Sequence, residues 1–89
     1  MSKRRNYSID TIQVMTRFFT VLQECKNTHR IASVSQYCRD NDIDMPHLYV
    51  QRKNMNKGFF EIGWCVPLVR DCGVNADWLL TGRGSMFGK

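Results

Sequence analysis

The chain has 89 residues and a mass of 10.4 kDa, the size of one domain, which excludes a two-lobed enzyme with a cleft between domains. Apolar residues make up 43% and charged residues 24%, close to globular averages, so wholesale disorder is excluded as well. Thirteen Lys and Arg against eight Asp and Glu give a net charge of +5. That excess favours a polyanion such as nucleic acid, or an acidic protein face.

The longest apolar run, Trp64 to Val69, is far short of the ~20 residues a membrane span requires. Lys3, Arg4 and Arg5 imitate the start of a signal peptide, but Asn6, Ser8 and Asp10 interrupt any hydrophobic segment after them. The chain therefore reads as a whole small cytoplasmic protein, with a basic arm over residues 1–7 and a single domain over 8–89. Its four cysteines, Cys25, Cys38, Cys65 and Cys72, form no Cys-x-x-Cys pair, and His29 and His47 lack zinc-finger spacing. Each lies among apolar residues, where a free thiol packs as a small hydrophobe. No metal, cofactor or disulfide is expected.

Ile12, Met15, Phe18, Phe19, Leu22 and Cys25 recur every three or four residues, one face of an amphipathic helix from about Ser8 to Lys26. Lys26 to Ala32 reads as a polar loop. Ser33 opens a second helix, about Val34 to Asn41, as an N-cap, with Gln36 completing a reciprocal capping box. Tyr37 and Cys38 point inward. Asn41 and Asp42 end the helix, since both tolerate left-handed backbone, and Ile43 is an apolar plug. Asp44 caps a third helix reaching about Lys53, with Pro46 in its first turn, where a missing N–H costs nothing. Leu48 is its clearest inward residue.

Asn54 to Gly58 is a polar connection. A fourth helix is predicted over about Phe59 to Cys72, with Phe59, Ile62, Val66, Val69 and Cys72 on its inner face and a bend or break at Pro67. Gly73 stops it, with Val74 as the hydrophobic follower. Asn75 caps a short fifth helix, Ala76 to Leu80, with Asp77 near its positive end, and Gly82 stops it. No segment alternates with a period of two. The expected fold is all-α, a compact bundle of about five short helices.

The segment Ser33 to Lys53 fits the helix-turn-helix template, in which a first helix braces a second that can enter a major groove. Here the chain resembles a family. Residues from about 33 to 87 are similar to the lambda-repressor-like helix-turn-helix proteins of bacteria and phages. The strongest likeness is GVNADWLLTGRGSMF, Gly73 to Phe87, which looks like the close of the DNA-binding domain in many small regulators. That stretch marks the fold and does not itself touch bases. Asp42 stands where the family usually has a turn glycine, and Asn41 and Gln51 stand where it often has apolar residues.

The resemblance implies sequence-specific binding of double-stranded DNA by a transcriptional regulator. The family's DNA-facing positions carry over to Asp44, Met45, Pro46, Tyr49 and Val50, with Lys53 at the helix end. Relatives hold phosphate at the positions of Ser33, Ser35 and Gln36. Helical spacing adds His47 and Arg52 as solvent-facing neighbours. Chemistry then assigns roles: Arg52, Lys53 and Lys57 suit phosphate contacts, and His47 and Gln51 suit base edges. Tyr49 suits either, and Met45 and Val50 suit thymine methyls. Asp44 is expected to cap the helix, because a carboxylate beside phosphate is repelled. Lys3 to Arg5 suit a groove-tracking arm or a solubilising tail.

An enzyme is not expected: no carboxylate pair, Ser-His-Asp set, Gly-rich phosphate loop or ligand cluster has supporting context. The alternative is a protein–protein or antitoxin-like module retaining the helix-turn-helix fold. It draws on Phe59, Phe60, Trp64 and Trp78, since adjacent Phe59 and Phe60 cannot both face one core. A homodimer is compatible with either, because a two-fold dimer sets two reader helices about 34 Å apart on a palindrome.

Overall fold

A computed structural model describes residues 7–88; the cationic cluster Lys3, Arg4 and Arg5 lies outside the described residues. Five α-helices are present, and no strand occurs among the described residues. The first, α1 (Ile9–Asn27), starts where Ser8 Oγ accepts the Thr11 N–H. Its inward stripe of Met15, Phe18, Val21, Leu22 and Cys25 is buried. No helix among the described residues is long and apolar enough to cross a membrane.

The helix α2 (Val34–Asp40) starts at Ser33, whose Oγ accepts the Gln36 N–H at 3.0 Å. The reciprocal half of the expected capping box does not form. Gln36 turns forward along the helix, donating to Asp40 Oδ1 and accepting from Arg39. Both partners lie one turn ahead on the same face, so they outcompete the backbone behind it. Asp42 adopts φ 58°, the left-handed turn conformation that an Asp side chain tolerates. The Ile43 N–H then closes onto Cys38 O, and α3 (Met45–Lys53) begins under an Asp44 cap to the His47 N–H. α2 and α3 pack on each other, with Tyr37, Cys38 and Leu48 buried between them and the bundle.

The predicted long fourth helix is corrected by the structure. Phe59 to Glu61 is non-helical, Ile62–Trp64 is a 3-10 turn, and α4 spans only Val66–Cys72. Pro67 therefore falls in the first turn of α4, where its missing N–H breaks no bond, so the expected interruption takes the form of two helical pieces and not of a bend. The inner face also differs. Trp64, Cys65, Leu68 and Cys72 are buried, whereas Ile62, Val66 and Val69 are exposed. Both stripes are apolar, so periodicity alone could not choose between them. The choice falls to the aromatic cluster: Phe18 on α1 meets Phe60 and Trp64 at ring distances of 6.1 Å each. Tyr37 Oη donates to Trp64 O at 2.6 Å.

Two arginines finish the helix ends. Arg30 Nη1 donates to Cys72 O at the end of α4, with its guanidinium 3.8 Å from the centre of the Phe87 ring. Arg17 on α1 donates to Leu79 O and Leu80 O of α5 (Ala76–Thr81). Each arginine approaches beside a left-handed glycine. A Cβ at Gly73 would lie 3.0 Å from Arg30 Nη1, and one at Gly82 would lie 3.2 Å from Arg17 Nη1. Glycine is thus required twice over, for positive φ and for space. Beyond Gly82 the chain returns to pair Phe87 with Val74, and Met86 O accepts the Asn75 N–H. The Gly73-to-Phe87 stretch is therefore one closed structural loop around α5.

All four cysteines are free and buried. Burial pushes the Cys25 thiol up to about 11 from its ordinary 9.0, helped by the neighbouring Cys72. Burial alone pushes Cys65 up to about 12. Cys38 and Cys72 shift in the same direction, again mainly by burial. The folded state therefore holds these protons more tightly than the unfolded chain does. The stability linked to them is complete below pH 9.0 and is lost as pH rises toward 11 and 12. Urea midpoints measured against pH are expected to fall across that alkaline window. Gly82→Ala is expected to cost about 1–2 kcal/mol in the same assay at neutral pH.

Candidate nucleic-acid interface

The α3 helix is anchored along one side and open along the other. Leu48 and Gln51 are buried, while Pro46, His47, Val50, Arg52 and Lys53 are exposed and Met45 and Tyr49 are half-buried. Leu48 and Gln51 lie one turn apart, so the inward stripe continues onto a polar side chain.

Gln51 is a correction. It was expected at base edges, yet it is fully buried. Its Nε2 donates to Met55 O at 2.9 Å and contacts Met15 Sδ at 3.3 Å, and its Oε1 accepts the Phe59 N–H at 2.9 Å. A buried amide whose donor and acceptor sides are both engaged is a structural bracket. It folds the 54–60 connection back along α3. Its place in the stripe after Leu48 was the signal in the sequence that could have located it.

A second contact holds the same connection. His47 stacks on Phe59 with ring centres 4.0 Å apart and planes 5° apart. His47 Nδ1 also lies 3.7 Å from Asp44 Oδ1. Within the connection, Asn54 Oδ1 accepts the Asn56 N–H and Asn54 O accepts the Lys57 N–H. This tight turn carries Lys57 in the segment bracketed to the end of α3, where Arg52 and Lys53 stand. The Arg52 guanidinium lies 4.9 Å over the Tyr49 ring. Among the described residues the ion pairs are His47–Asp44 and Arg70–Asp71. Arg52, Lys53 and Lys57 have no carboxylate partner in either.

The charge along α3 is polarised. Asp40, Asp42 and Asp44 are exposed around its start, and the cations gather at its end. That order complements the helix dipole. Asp44 acts as the cap that the sequence implied.

The start of α2 is arranged differently. Ser33 Oγ is occupied by the Gln36 N–H, and the Gln36 side chain is held by Asp40 and Arg39. Ser35 is half-buried. Gln36 opens on a polar hollow of about 470 Å³ shared with Arg30, Asp40, Arg70 and Asp71. The structure thus groups Met45, His47, Tyr49, Val50, Arg52, Lys53 and Lys57 on α3 and the connection after it, and leaves Gln36 on the hollow that α2 shares with α4. No group of three or more His, Cys, Asp or Glu among the described residues could hold a metal ion.

The aromatic residues invoked for protein contact are largely packed. Trp64 is buried, and Phe59, Phe60 and Trp78 lie half-buried against the core. Tyr7 is docked rather than free. Its hydroxyl donates to Phe60 O and accepts the Phe60 N–H, and its ring meets Phe60 edge-on at 6.4 Å.

No known protein family, curated protein or solved structure matches this chain.

Gln51→Leu keeps the volume of the bracket but leaves the Phe59 N–H and the Met55 carbonyl unpaired. It is expected to destabilise the fold by about 1–3 kcal/mol. Amide exchange at Phe59 should accelerate more than exchange at Phe18, because the loss releases the connection before the core.

Proposed function

We propose that the protein binds double-stranded DNA by presenting α3 to the major groove, with α2 as its brace in a helix-turn-helix of the lambda-repressor-like kind. In this reading it is a transcriptional regulator. The observation that carries the proposal is the exposed face of α3, which ends in a lobe of cations, Arg52, Lys53 and Lys57, with no carboxylate partner among the described residues. A nine-residue helix is about 13 Å long, and the major groove is about 12 Å wide, so its exposed face spans a few base pairs.

Phosphate contacts fall to the cationic end, which positions the protein without reading sequence. The acids at the start of α3 disfavour phosphate there and so fix which end lies against the backbone. Met45, His47, Tyr49 and Val50 are the side chains available to base edges. His47 is held in one plane by Phe59, which limits the rotational freedom lost on binding. Ser33 and Ser35 remain the phosphate-facing hydroxyls of α2 in this reading.

Fluorescence anisotropy with mixed-sequence duplexes across a salt series tests it. About four phosphate contacts give a slope of log K against log salt near −3.6. Replacing Arg52 and Lys53 together by Ala should flatten that slope by about 2 and weaken binding to every duplex. Undiminished affinity in that variant, or no duplex binding at low salt, overturns the proposal.

A further inference from the structure

Cys25 sits in the last turn of α1, and Cys72 is the last residue of α4. The fold brings them together. Their thiols are hydrogen-bonded to each other, and the contact raises Cys25 while it lowers Cys72, so Cys25 is the donor and Cys72 the acceptor. Arg30 ties the two helix ends from the side. Its backbone N–H donates to Cys25 O at 2.8 Å, and its Nη1 donates to Cys72 O at 2.9 Å. Cys65 is shifted by burial alone, and Cys38 by burial and Asp44, so thiol meets thiol only at Cys25 and Cys72 among the described residues. The pair is unequally enclosed. Cys25 is fully buried, whereas Cys72 is 8% exposed and lines the polar hollow of about 470 Å³ that α2 shares with α4. A small solute entering the hollow meets Cys72 first, with Cys25 behind it.

From these contacts we propose that Cys25 and Cys72 form a dithiol modification site, closed by peroxide to a disulfide that fastens the end of α1 to the end of α4. The reduced pair is the resting state. Hydrogen peroxide is the oxidant, since it is polar and small enough to enter the hollow. The Cys72 thiolate attacks one peroxide oxygen, and the O–O bond breaks. Hydroxide leaves, takes up the proton that Cys72 released, and becomes water, while Cys72 becomes a sulfenic acid. Cys25 then loses its proton and attacks the Cys72 sulfur. The S–O bond breaks, and the departing hydroxide takes up the Cys25 proton as a second water. Two thiols have lost two electrons and two protons, and one peroxide has been reduced to two waters.

Local electrostatics assigns the order of the steps. Burial and the Asp71 carboxylate raise Cys72, while the Cys25 hydrogen bond and the Arg30 guanidinium lower it. Burial raises Cys25 too, and there the hydrogen bond adds to the rise. Cys72 is therefore the thiol that ionises for attack, and Cys25 the one that resolves it. Burial prevails at both, so the pair responds slowly to sustained oxidant and does not turn over. The fold also dictates the partner. Cys25 and Cys72 are the two cysteines furthest apart in the sequence, and Cys65 and Cys72 the nearest. Loop-closure entropy in an unfolded chain favours the nearest pair. The inference stands apart from the DNA reading, because no residue of α3 takes part.

Peptide mapping by mass spectrometry tests it, because trypsin leaves each cysteine in its own peptide, 18–26, 31–39, 58–70 and 71–83. The folded full chain is treated with hydrogen peroxide in mildly alkaline buffer, then denatured and alkylated. Peptide 18–26 should be joined to 71–83, with Cys38 and Cys65 alkylated. The oxidised chain should melt above the reduced one by on the order of 10 °C, because the bond closes a long loop. In Cys25→Ala, dimedone should capture Cys72 as a sulfenic acid, whereas in Cys72→Ala the Cys25 thiol should stay reduced. Should either variant fail to fold, the parent map decides alone. A chain that keeps four alkylatable thiols, loses them without that cross-link, or joins any other pair first overturns the inference. So does an oxidised chain that melts below the reduced one, or dimedone capture at Cys25 in place of Cys72.

Discussion

Apart from α1, each helix of this protein is too short to persist alone. Nine residues for α3, seven each for α2 and α4, and six for α5 fall below the length at which an isolated helix is even marginal in water. Their existence depends on tertiary burial: α2 and α5 pack on α1, whose 19 residues form the spine, α3 packs on α2, and α4 packs on the 3-10 turn. Phe18, fully buried, is the centre of that arrangement, touching Phe19, Phe60 and Trp64. The same spine sends Arg17 to the end of α5, and the turn after it sends Arg30 to the end of α4. Hydrophobic contact and charge-assisted capping thus radiate from one element.

That division of labour explains how a small basic protein distributes its cations. Arg17 and Arg30 are engaged with helix-terminal carbonyls, and Arg70 is engaged with Asp71. They contribute to the net charge while being occupied by the scaffold. Among the described residues Arg52, Lys53 and Lys57 have no such partner. These three cations lie together at and just beyond the end of α3. The α4–α5 side is nearly neutral and apolar. Near the second surface Arg17 and Arg70 are engaged within the fold, and Arg83 stays exposed.

Gln51 links the scaffold to the first of these surfaces. Buried beside Met15 of α1, it grips both ends of the connection that follows α3. The His47–Phe59 stack fastens that connection from the outer side. Packing at the spine is thereby converted into placement of Lys57 on the segment bracketed to α3. A lysine on a free loop would retain its charge but would lose conformational entropy on meeting a partner.

The local punctuation of the chain was legible because each signal acts within a turn of itself. Ser8, Ser33, Asp44 and Asn75 cap where their side chains meet the next backbone donors. Gly73 and Gly82 stop helices because their φ is positive, and Asp42 turns the chain for the same reason. The all-α class, the inward face of α1 and the span of α3 follow from such signals and from a single apolar stripe. The segment from Phe59 to Cys72 carries two apolar stripes, and local energetics does not rank them. Contact with Phe18 and Tyr37, from helices distant in sequence, set Trp64, Cys65 and Leu68 inward and left Ile62, Val66 and Val69 at the surface. Gln51 was obscured in a related way. Its polarity suggested solvent, and only the backbone groups brought to it by the returning connection make its burial favourable. Signals that complete themselves within a few residues survive in a linear chain. Those that need a partner from elsewhere in the fold come into being only when it closes.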